Sequence, residues 1–295
     1  MPAITLIVPI LNRATFLPDL FRQLAAITYE ELEIILVDNG SSDGSLPMCR
    51  TFAEDAPMFV RVLEQPRRGA CCARNLGLQE CHTEWVCFFD SDDLLTPSFL
   101  TDLMPLAGDA DLIAFPTLQR VDGRLRQRAF VRSSSPASQL LSSTLNTASM
   151  LFRTDFLRRI GGWNEELDIW QDWELGIRAL MHRPRIQWTR QPYHEICIHP
   201  NSITGSSYAS RCQEIHRTLE VVAGEIEGNS LRRALALRCY IVNGILRRQG
   251  APSVPMPIYA NLPTRLLGFL LGAYTRLGGR GAWRLALLFC CELWR

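Results

Sequence analysis

The stretch from Glu84 to Asp93 constrains this chain more than any other. Trp85-Val86-Cys87-Phe88-Phe89 is apolar without alternation, and it stops at Asp90-Ser91-Asp92-Asp93. Runs of this kind belong to strands covered on both faces, as in a parallel sheet; half-buried strands alternate. Three carboxylates within four residues repel one another and call for a counter-charge. Carboxylate oxygens suit Mg²⁺ or Mn²⁺, and ligands of open α/β sheets lie at the carboxyl ends of strands. The same four residues also read as a solvated acidic turn before a helix near Pro97.

The chain before this stretch has the same character. Ile4 to Pro9 is a buried-type strand, ended by Pro9, which cannot donate to a ladder. Phe16, Leu17, Leu20, Phe21 and Leu24 mark one face of a helix. Glu33 to Asp38 is a second strand, running into the turn-rich Asn39-Gly40-Ser41-Ser42-Asp43-Gly44. This is a βαβ start, but no Gly-x-Gly-x-x-Gly follows its first strand, which argues against a dinucleotide-binding domain. Asp38 either accepts from a base N–H or a ribose hydroxyl, or caps its own turn. Phe59 to Leu63 is a third strand. After it, Arg67, Arg68 and Arg74 stand around a helix start rich in small residues, either near an anionic ligand or in solvent.

Beyond the acidic cluster the pattern predicts a strand at Asp111 to Phe115 and an exposed, Arg-rich excursion from Arg120 to Ser138. A strand over Leu145 to Phe152 follows, then a turn at Ile160 to Glu165. A helix begins near Gln171-Asp172-Trp173-Glu174-Leu175, where Asp172 is an acid at a helix start, a dipole or capping residue by position alone. Trp163, Trp170 and Trp173 suit either a sugar-binding wall or a core. The last strand is Tyr193 to Ile198, followed by His199, a lone histidine that is either structural or a ligand.

Composition removes whole reaction classes. All 31 basic residues are Arg. Without Lys there is no P-loop lysine, no Schiff base and no Ser-Lys dyad. The ten cysteines show no Cys-x-x-Cys spacing, which suggests a reduced, cytosolic protein without structural zinc. Ile4 to Ile10 is too short for a signal peptide and lacks a basic start. The apolar run Leu266 to Thr275 is about half the ~20 residues a spanning helix needs. The expectation is a chain that does not cross a membrane.

Residues 221–295 carry ten Arg against three Glu, a net charge of +7, which leaves residues 1–220 at −6 and argues against nucleic acid as a partner. Within them, Leu231 to Arg248 reads as an amphipathic helix. A Pro-rich break (Pro252, Pro255, Pro257, Pro263) and two short apolar runs edged by Arg265, Arg276 and Arg284 follow. Such segments, with Trp283 and Trp294 near their ends, suit an anionic membrane surface. Equally they suit packing on the rest of the chain, or a homodimer.

Six motifs stand in order: Val8-Pro9-Ile10-Leu11-Asn12; Ile35 to Asp43; Gly69 through Ala73-Arg74-Asn75-x-Gly77; Phe89 to Asp93; Ile160 to Glu165; and Gln171 to Leu175. Taken together, from Ile4 to Thr204, the chain resembles the family 2 glycosyltransferases. The resemblance implies the GT-A fold, an α/β Rossmann-like, mostly parallel sheet flanked by helices. It makes residues 1–220 the catalytic domain and leaves 221–295 as a C-terminal helical region. It implies inverting transfer of a sugar from a nucleotide-diphosphate donor, a UDP-sugar first, to a hydroxyl of a glycan or lipid-linked acceptor. Cell-surface polysaccharide or glycolipid synthesis is the implied setting, in the cytoplasm or peripherally on the inner face of the cytoplasmic membrane.

Residue by residue, Pro9, Asp38 and Arg74 fall where the family binds nucleobase and ribose, with Asn12 in the first motif beside them. Asp90 and Asp92 fit the Asp-x-Asp signature that meets the donor and a Mn²⁺ or Mg²⁺ ion, and His199 falls where some members place a histidine near the metal. Asp172 matches the catalytic base. Two departures stand out: Leu11 replaces a frequent aromatic residue, and Gln171 replaces the acid that usually precedes the base. A dehalogenase-like phosphatase shares an Asp-x-Asp after an apolar strand but needs a later lysine. A relative that binds nucleotide-sugars without turnover is the alternative from outside the enzymes.

Overall fold

A computed structural model describes residues 3–121, 123–198, 207–258 and 260–290. In chain order the elements begin β1 (Ile4–Ile10), α1 (Leu17–Ala25), β2 (Leu32–Asp38), α2 (Ser45–Asp55), β3 (Phe59–Glu64), α3 (Ala70–Glu80), β4 (Trp85–Phe88), β5 (Leu94–Leu95) and α4 (Phe99–Leu103). They continue with β6 (Leu112–Ala114), β7 (Thr117–Val121), β8 (Arg124–Gln127), α5 (Pro136–Ser142), β9 (Met150–Arg153), α6 (Thr154–Arg159) and α7 (Gln171–Met181). The last are β10 (Ile186–Trp188), β11 (His194–Ile198), α8 (Cys212–Glu225), α9 (Asn229–Arg248), α10 (Leu262–Arg276) and α11 (Ala282–Cys290). They form two compact units.

The first unit comprises Met1–Phe130, Leu145–Glu166 and Pro184–Ile198. Its main sheet has seven strands in the order β10-β6-β9-β4-β1-β2-β3. All neighbours are parallel except β9, which runs against both β4 and β6. The apolar runs of β1, β2 and β4 are covered on both faces, as continuous rather than alternating patterns require. β1 has β2 on one side and β4 on the other, so the chain reverses its direction of winding there. In open α/β sheets that switch point opens a crevice at the strands' carboxyl ends. A second sheet of order β5-β11-β7-β8 completes the unit.

Helix α3 is held close to this sheet by the absence of a side chain. A Cβ on Gly77 would stand 2.6 Å from Ile7 Cγ2, inside van der Waals contact. The Arg-rich stretch expected as an exposed excursion is partly regular. Arg120 pairs with Glu195 (Nε to Oε2 3.0 Å) on the neighbouring strand β11, and β7 turns at Gly123, φ +73°, into β8. Inter-strand pairing of charged residues holds what composition reads as loop. The strand expected over Leu145 to Phe152 is shorter, because Asn146 caps a 3₁₀ turn over Thr147–Ser149 before β9 begins.

The second unit comprises Val131–Thr144, Leu167–Arg183 and His199–Arg295. Its core joins α5 and α7 to α8, α9, α10 and α11 through Leu140, Trp173, Ile177, Leu219, Leu235 and Leu271, among others. α9 spends its apolar residues inside: Ala234 to Leu237, Cys239, Ile241, Val242 and Leu246 are all buried. The outward apolar surface lies instead on α10 and α11. Among the described residues no helix is long and apolar enough to cross a membrane.

Candidate functional site

In the first unit the carboxyl ends of β1, β2 and β4 bring together most of the expected donor residues. Pro9 sits one residue from the end of β1, opposite Val37, and Ile10 faces Asp38 at the end of β2. The loops beyond are stitched to one another. Asn39 donates to the carbonyls of Gln65 (2.9 Å) and Arg67 (2.8 Å) and accepts from the Gly69 N–H (2.8 Å). Asn12, exposed and at φ +52°, accepts from the Ser42 N–H at 2.8 Å and donates its own N–H to Ser41 Oγ at 3.0 Å. Its visible work is to brace one loop on the next, in a left-handed conformation that Asn tolerates better than most residues.

Asp38 answers both readings of its position. Oδ2 accepts from the Gly40 and Ser41 N–H groups, each at 3.1 Å, which is the turn-capping role. Oδ1 is buried with no hydrogen-bond partner among the described residues. A buried carboxylate oxygen left so costs a few kcal/mol, on the order of 1–3 or more. It is an acceptor available to a ligand's N–H or O–H.

Arg74 is 5% exposed. It donates to Asp90 Oδ1 at 2.7 Å and lies over the Trp163 ring at 4.5 Å. Trp163 is itself packed edge-on against Phe88, centroids 5.1 Å apart. The turn that carries Trp163 is pinned by Asn75. This residue accepts from the Trp163 N–H (2.9 Å) and donates to the Trp163 carbonyl (2.9 Å) and to Glu165 (2.8 Å). Gly162, φ +64°, leaves no room for a Cβ beside Asn75 Oδ1. The Ala-Arg-Asn-x-Gly and Gly-Gly-Trp-Asn motifs are therefore two halves of one clamp that sets the Arg74 guanidinium on Asp90. Sequence reasoning missed Asn75, whose only signal was its place beside Arg74. Of the other two arginines, Arg67 pairs with Glu165 and Arg68 is exposed.

Asp92 is paired with Arg13 at 3.4 Å. Asp93 is buried and accepts from the Cys197 N–H at 2.8 Å; burial first, then the charge of Asp90, holds its carboxyl well above the usual range. Among the described residues no three His, Cys, Asp or Glu side chains form a closed metal site. The two acids of the Asp-x-Asp pattern, Asp90 and Asp92, are each paired with a guanidinium, Arg74 and Arg13. His199 lies outside the described residues. His194, five residues earlier, is ringed by Phe89, Phe99 and Phe115. Burial drives its pKa down to about 4, with the Ala148 carbonyl 2.7 Å from Nδ1 opposing.

In the second unit, Asp172 stands half-buried in the first turn of α7, where Oδ1 accepts from the Trp173 N–H at 2.8 Å. The residue before this helix, Trp170, has φ +54° and ψ +27°, a left-handed conformation that is an outlier for so bulky a side chain. It is held there by Trp173 (5.5 Å) and Tyr208 (5.7 Å), with Arg238 over its ring at 5.0 Å. No sequence signal marks that strain. Glu174 is fully buried and takes both arms of Arg178, at 2.6 and 2.9 Å, so it is tied up inside the unit. Trp163 and Trp173 are core residues, 2% exposed each, which corrects the idea of a tryptophan wall at these two positions: packing consumes their surfaces, and the Trp173 indole N–H donates to the Gln139 and Leu140 carbonyls.

The fold and the loop clamp define a doubly wound α/β scaffold with a crevice at its switch point, and comparison with known proteins gives it a family. Residues 5–162 match the model of glycosyl transferase family 2, more than half of the chain, and the chain belongs to that family. YibD of Escherichia coli is 34% identical over 109 residues, covering 37% of this chain and 31% of that protein. The poly(ribitol-phosphate) beta-N-acetylglucosaminyltransferase TarS of Staphylococcus aureus is 24% identical over 243 residues, 79% of this chain and 42% of TarS. The regions shared with the first matched relatives thus span about a third of their length. In structure, TarS 1-349 in complex with UDP-GlcNAc superposes with a TM-score of 0.67 at 20% identity, over 96% of this chain and 90% of that one. The mannosyltransferase PcManGT of Pyrobaculum calidifontis, in complex with GDP-Man and Mn²⁺, gives 0.61 at 17% identity, over 98% and 87%. The fold is GT-A.

Proposed function

We propose that this chain is an inverting glycosyltransferase that moves a sugar from a UDP-sugar to a hydroxyl of a glycan or lipid-linked acceptor. Residues 1–220 hold the catalytic machinery in this reading, with Pro9, Asn12, Asp38, Arg74 and Asp90 on the donor. The observation that carries it is the pair of unequal oxygens on Asp38. One is used up by the turn, and the other is buried and open to the N–H of a base such as uracil. Nucleotide-sugars bound to TarS and PcManGT support the donor class.

Arg74 keeps its guanidinium beside Asp90, a fixed positive charge for a diphosphate whose negative charge grows as the glycosidic bond breaks. Asp90 and Asp92, with His199, are the proposed holders of Mn²⁺ or Mg²⁺, which when bound adds positive charge against the same leaving group. Asp172 is the proposed general base, taking the proton of the acceptor hydroxyl. In this reading the protein works in the cytoplasm or peripherally at the inner face of the cytoplasmic membrane, in cell-surface polysaccharide or glycolipid synthesis.

Calorimetry with UDP-sugars tests the donor half. Binding should weaken sharply in EDTA and in Asp92→Ala, and Asp38→Ala should lose it with metal present. Equal affinity with and without EDTA removes the metal role. No binding of any UDP-, GDP- or dTDP-sugar overturns the whole reading.

A further inference from the structure

The second unit contains a cleft of about 620 Å³ that the transfer chemistry leaves unused. It is lined by three arginines, Arg238, Arg248 and Arg280, with Tyr208, Gln249 and Trp283 among their neighbours, and by no acid among the described residues. No Asp or Glu occurs anywhere between Glu227 and Glu292. Neither Arg248 nor Arg280 has an ion pair among the described residues. Guanidinium groups gathered on one cleft without a carboxylate raise one another's energy, and an anion relieves it.

The cleft is built rather than incidental. Arg238 is fixed over the Trp170 and Trp173 rings, at 5.0 and 5.5 Å, and donates to the Leu141 carbonyl at 3.3 Å. The turn joining α10 to α11 bends through Gly278 (φ +94°) and Gly281 (φ +77°). A Cβ on Gly278 would lie 3.3 Å from Arg248 Cζ, so the turn passes directly over that guanidinium. The Tyr274 hydroxyl donates to the Arg280 carbonyl at 3.0 Å and fixes the turn beyond it. The two helices then carry apolar surface outward from the turn. Leu277 is 89% exposed, and Leu270, Phe269, Leu285 and Phe289 are exposed as well.

We infer that this cleft binds a phosphate or diphosphate group, and that its source is the head of an anionic amphiphile whose tail lies along the exposed faces of α10 and α11. Arginine forks match phosphate oxygens two at a time. A basic apolar surface without acids fits an anionic bilayer and no neutral one. The site uses none of the proposed donor residues, so its failure leaves the donor reading intact.

The test uses the full chain in two arms. In flotation with vesicles of phosphatidylcholine plus phosphatidylglycerol, the protein should rise with the lipid, and with phosphatidylcholine alone it should stay down. Arg248→Gln/Arg280→Gln should weaken that binding on the order of 30-fold, the loss expected for two surface-adjacent arginines. Arg232→Gln/Arg233→Gln removes the same charge from exposed positions on α9 and should change it only a few-fold. In the second arm, inorganic pyrophosphate should raise the melting temperature of the wild type and not of the Arg248/Arg280 variant, whose unchanged melting without ligand shows that it folds. A pyrophosphate response that needs both arginines, without flotation, keeps the phosphate site and makes its source a soluble phosphate compound. Equal loss in both double variants, or no arginine-dependent effect in either arm, overturns the assignment.

Discussion

Two charged regions of this molecule are built on opposite terms. At the carboxyl ends of β1, β2 and β4, acids and arginines come in pairs: Arg74 with Asp90, Arg13 with Asp92. Around the α10–α11 turn the arginines line a cleft with no acid among the described residues. The first arrangement is set without a ligand, because the Asn75–Gly162–Trp163 clamp holds Arg74 on Asp90. In the second, counter-charge for Arg248 and Arg280 is left to the proposed anion. A preorganised site favours chemistry on a small molecule; a basic cleft without a lining acid favours capture of an anion.

The sharpest way to break the division of labour is Asp172→Asn. The change keeps the size of the side chain but cannot accept a proton, so turnover should fall by at least ~10²-fold with donor affinity unchanged. Single-turnover assays with the donor that shifts melting most, set beside calorimetry, check both halves. Near-normal turnover in this variant, with loss in Glu174→Gln, moves the base to a residue now seen buried under Arg178.

A second comparison concerns pH, since His194 in the first unit and Glu225 in the second are shifted in opposite senses. His194 has a folded pKa of about 4, below its ordinary 6.5. Its neutral form belongs to the folded state, so stability is full above pH 6.5 and falls as pH drops toward 4, by about 3 kcal/mol. Glu225 is raised to about 7 from 4.5, by burial first and then by Glu174. Its contribution is full below pH 4.5 and is lost as pH rises through 7. Urea unfolding from pH 4 to 8 should show both limbs. His194→Gln should flatten the acid limb, and Glu225→Gln should shrink the other, to which the raised Asp93 also contributes; an unchanged acid limb in His194→Gln refutes the first assignment and an unchanged second limb in Glu225→Gln the other.

The smallest effect tests the sheet that carries the donor end. Gly77→Ala forces a methyl into the space of Ile7 and should cost about 1–3 kcal/mol, read as a lowered denaturant midpoint with unchanged slope. Wild-type stability in this variant means that α3 can move off β1 without penalty.

Much of the first unit was legible because buried parallel strands leave a mark that needs no partner to be read. The runs Ile4 to Pro9, Glu33 to Asp38 and Trp85 to Phe89 became β1, β2 and β4, and the acids that end the second and third stand at the carboxyl ends of the two strands that neighbour β1 in one sheet. The hairpin of β7 and β8 was not legible because its polar, Arg-rich composition hides it, and the Arg120–Glu195 pair that ties β7 to β11 joins residues far apart in sequence.

What the sequence determined by itself was the fold class, the strand ends that carry carboxylates, the all-arginine chemistry and the acid-free C-terminal stretch. Each is local: a strand's burial, a turn's residues or a segment's charge is written in consecutive positions. Only the tertiary structure decided that one oxygen of Asp38 stays unpaired, that Asn75 holds Trp163 under Arg74, and that Trp170 is strained beside α7. It also decided that α5 and α7 share a core with the C-terminal helices, and that the α10–α11 turn closes over Arg248. These depend on where distant segments meet, and the free energy that fixes such meetings comes from close packing and paired polar groups across the fold, which no window of sequence contains.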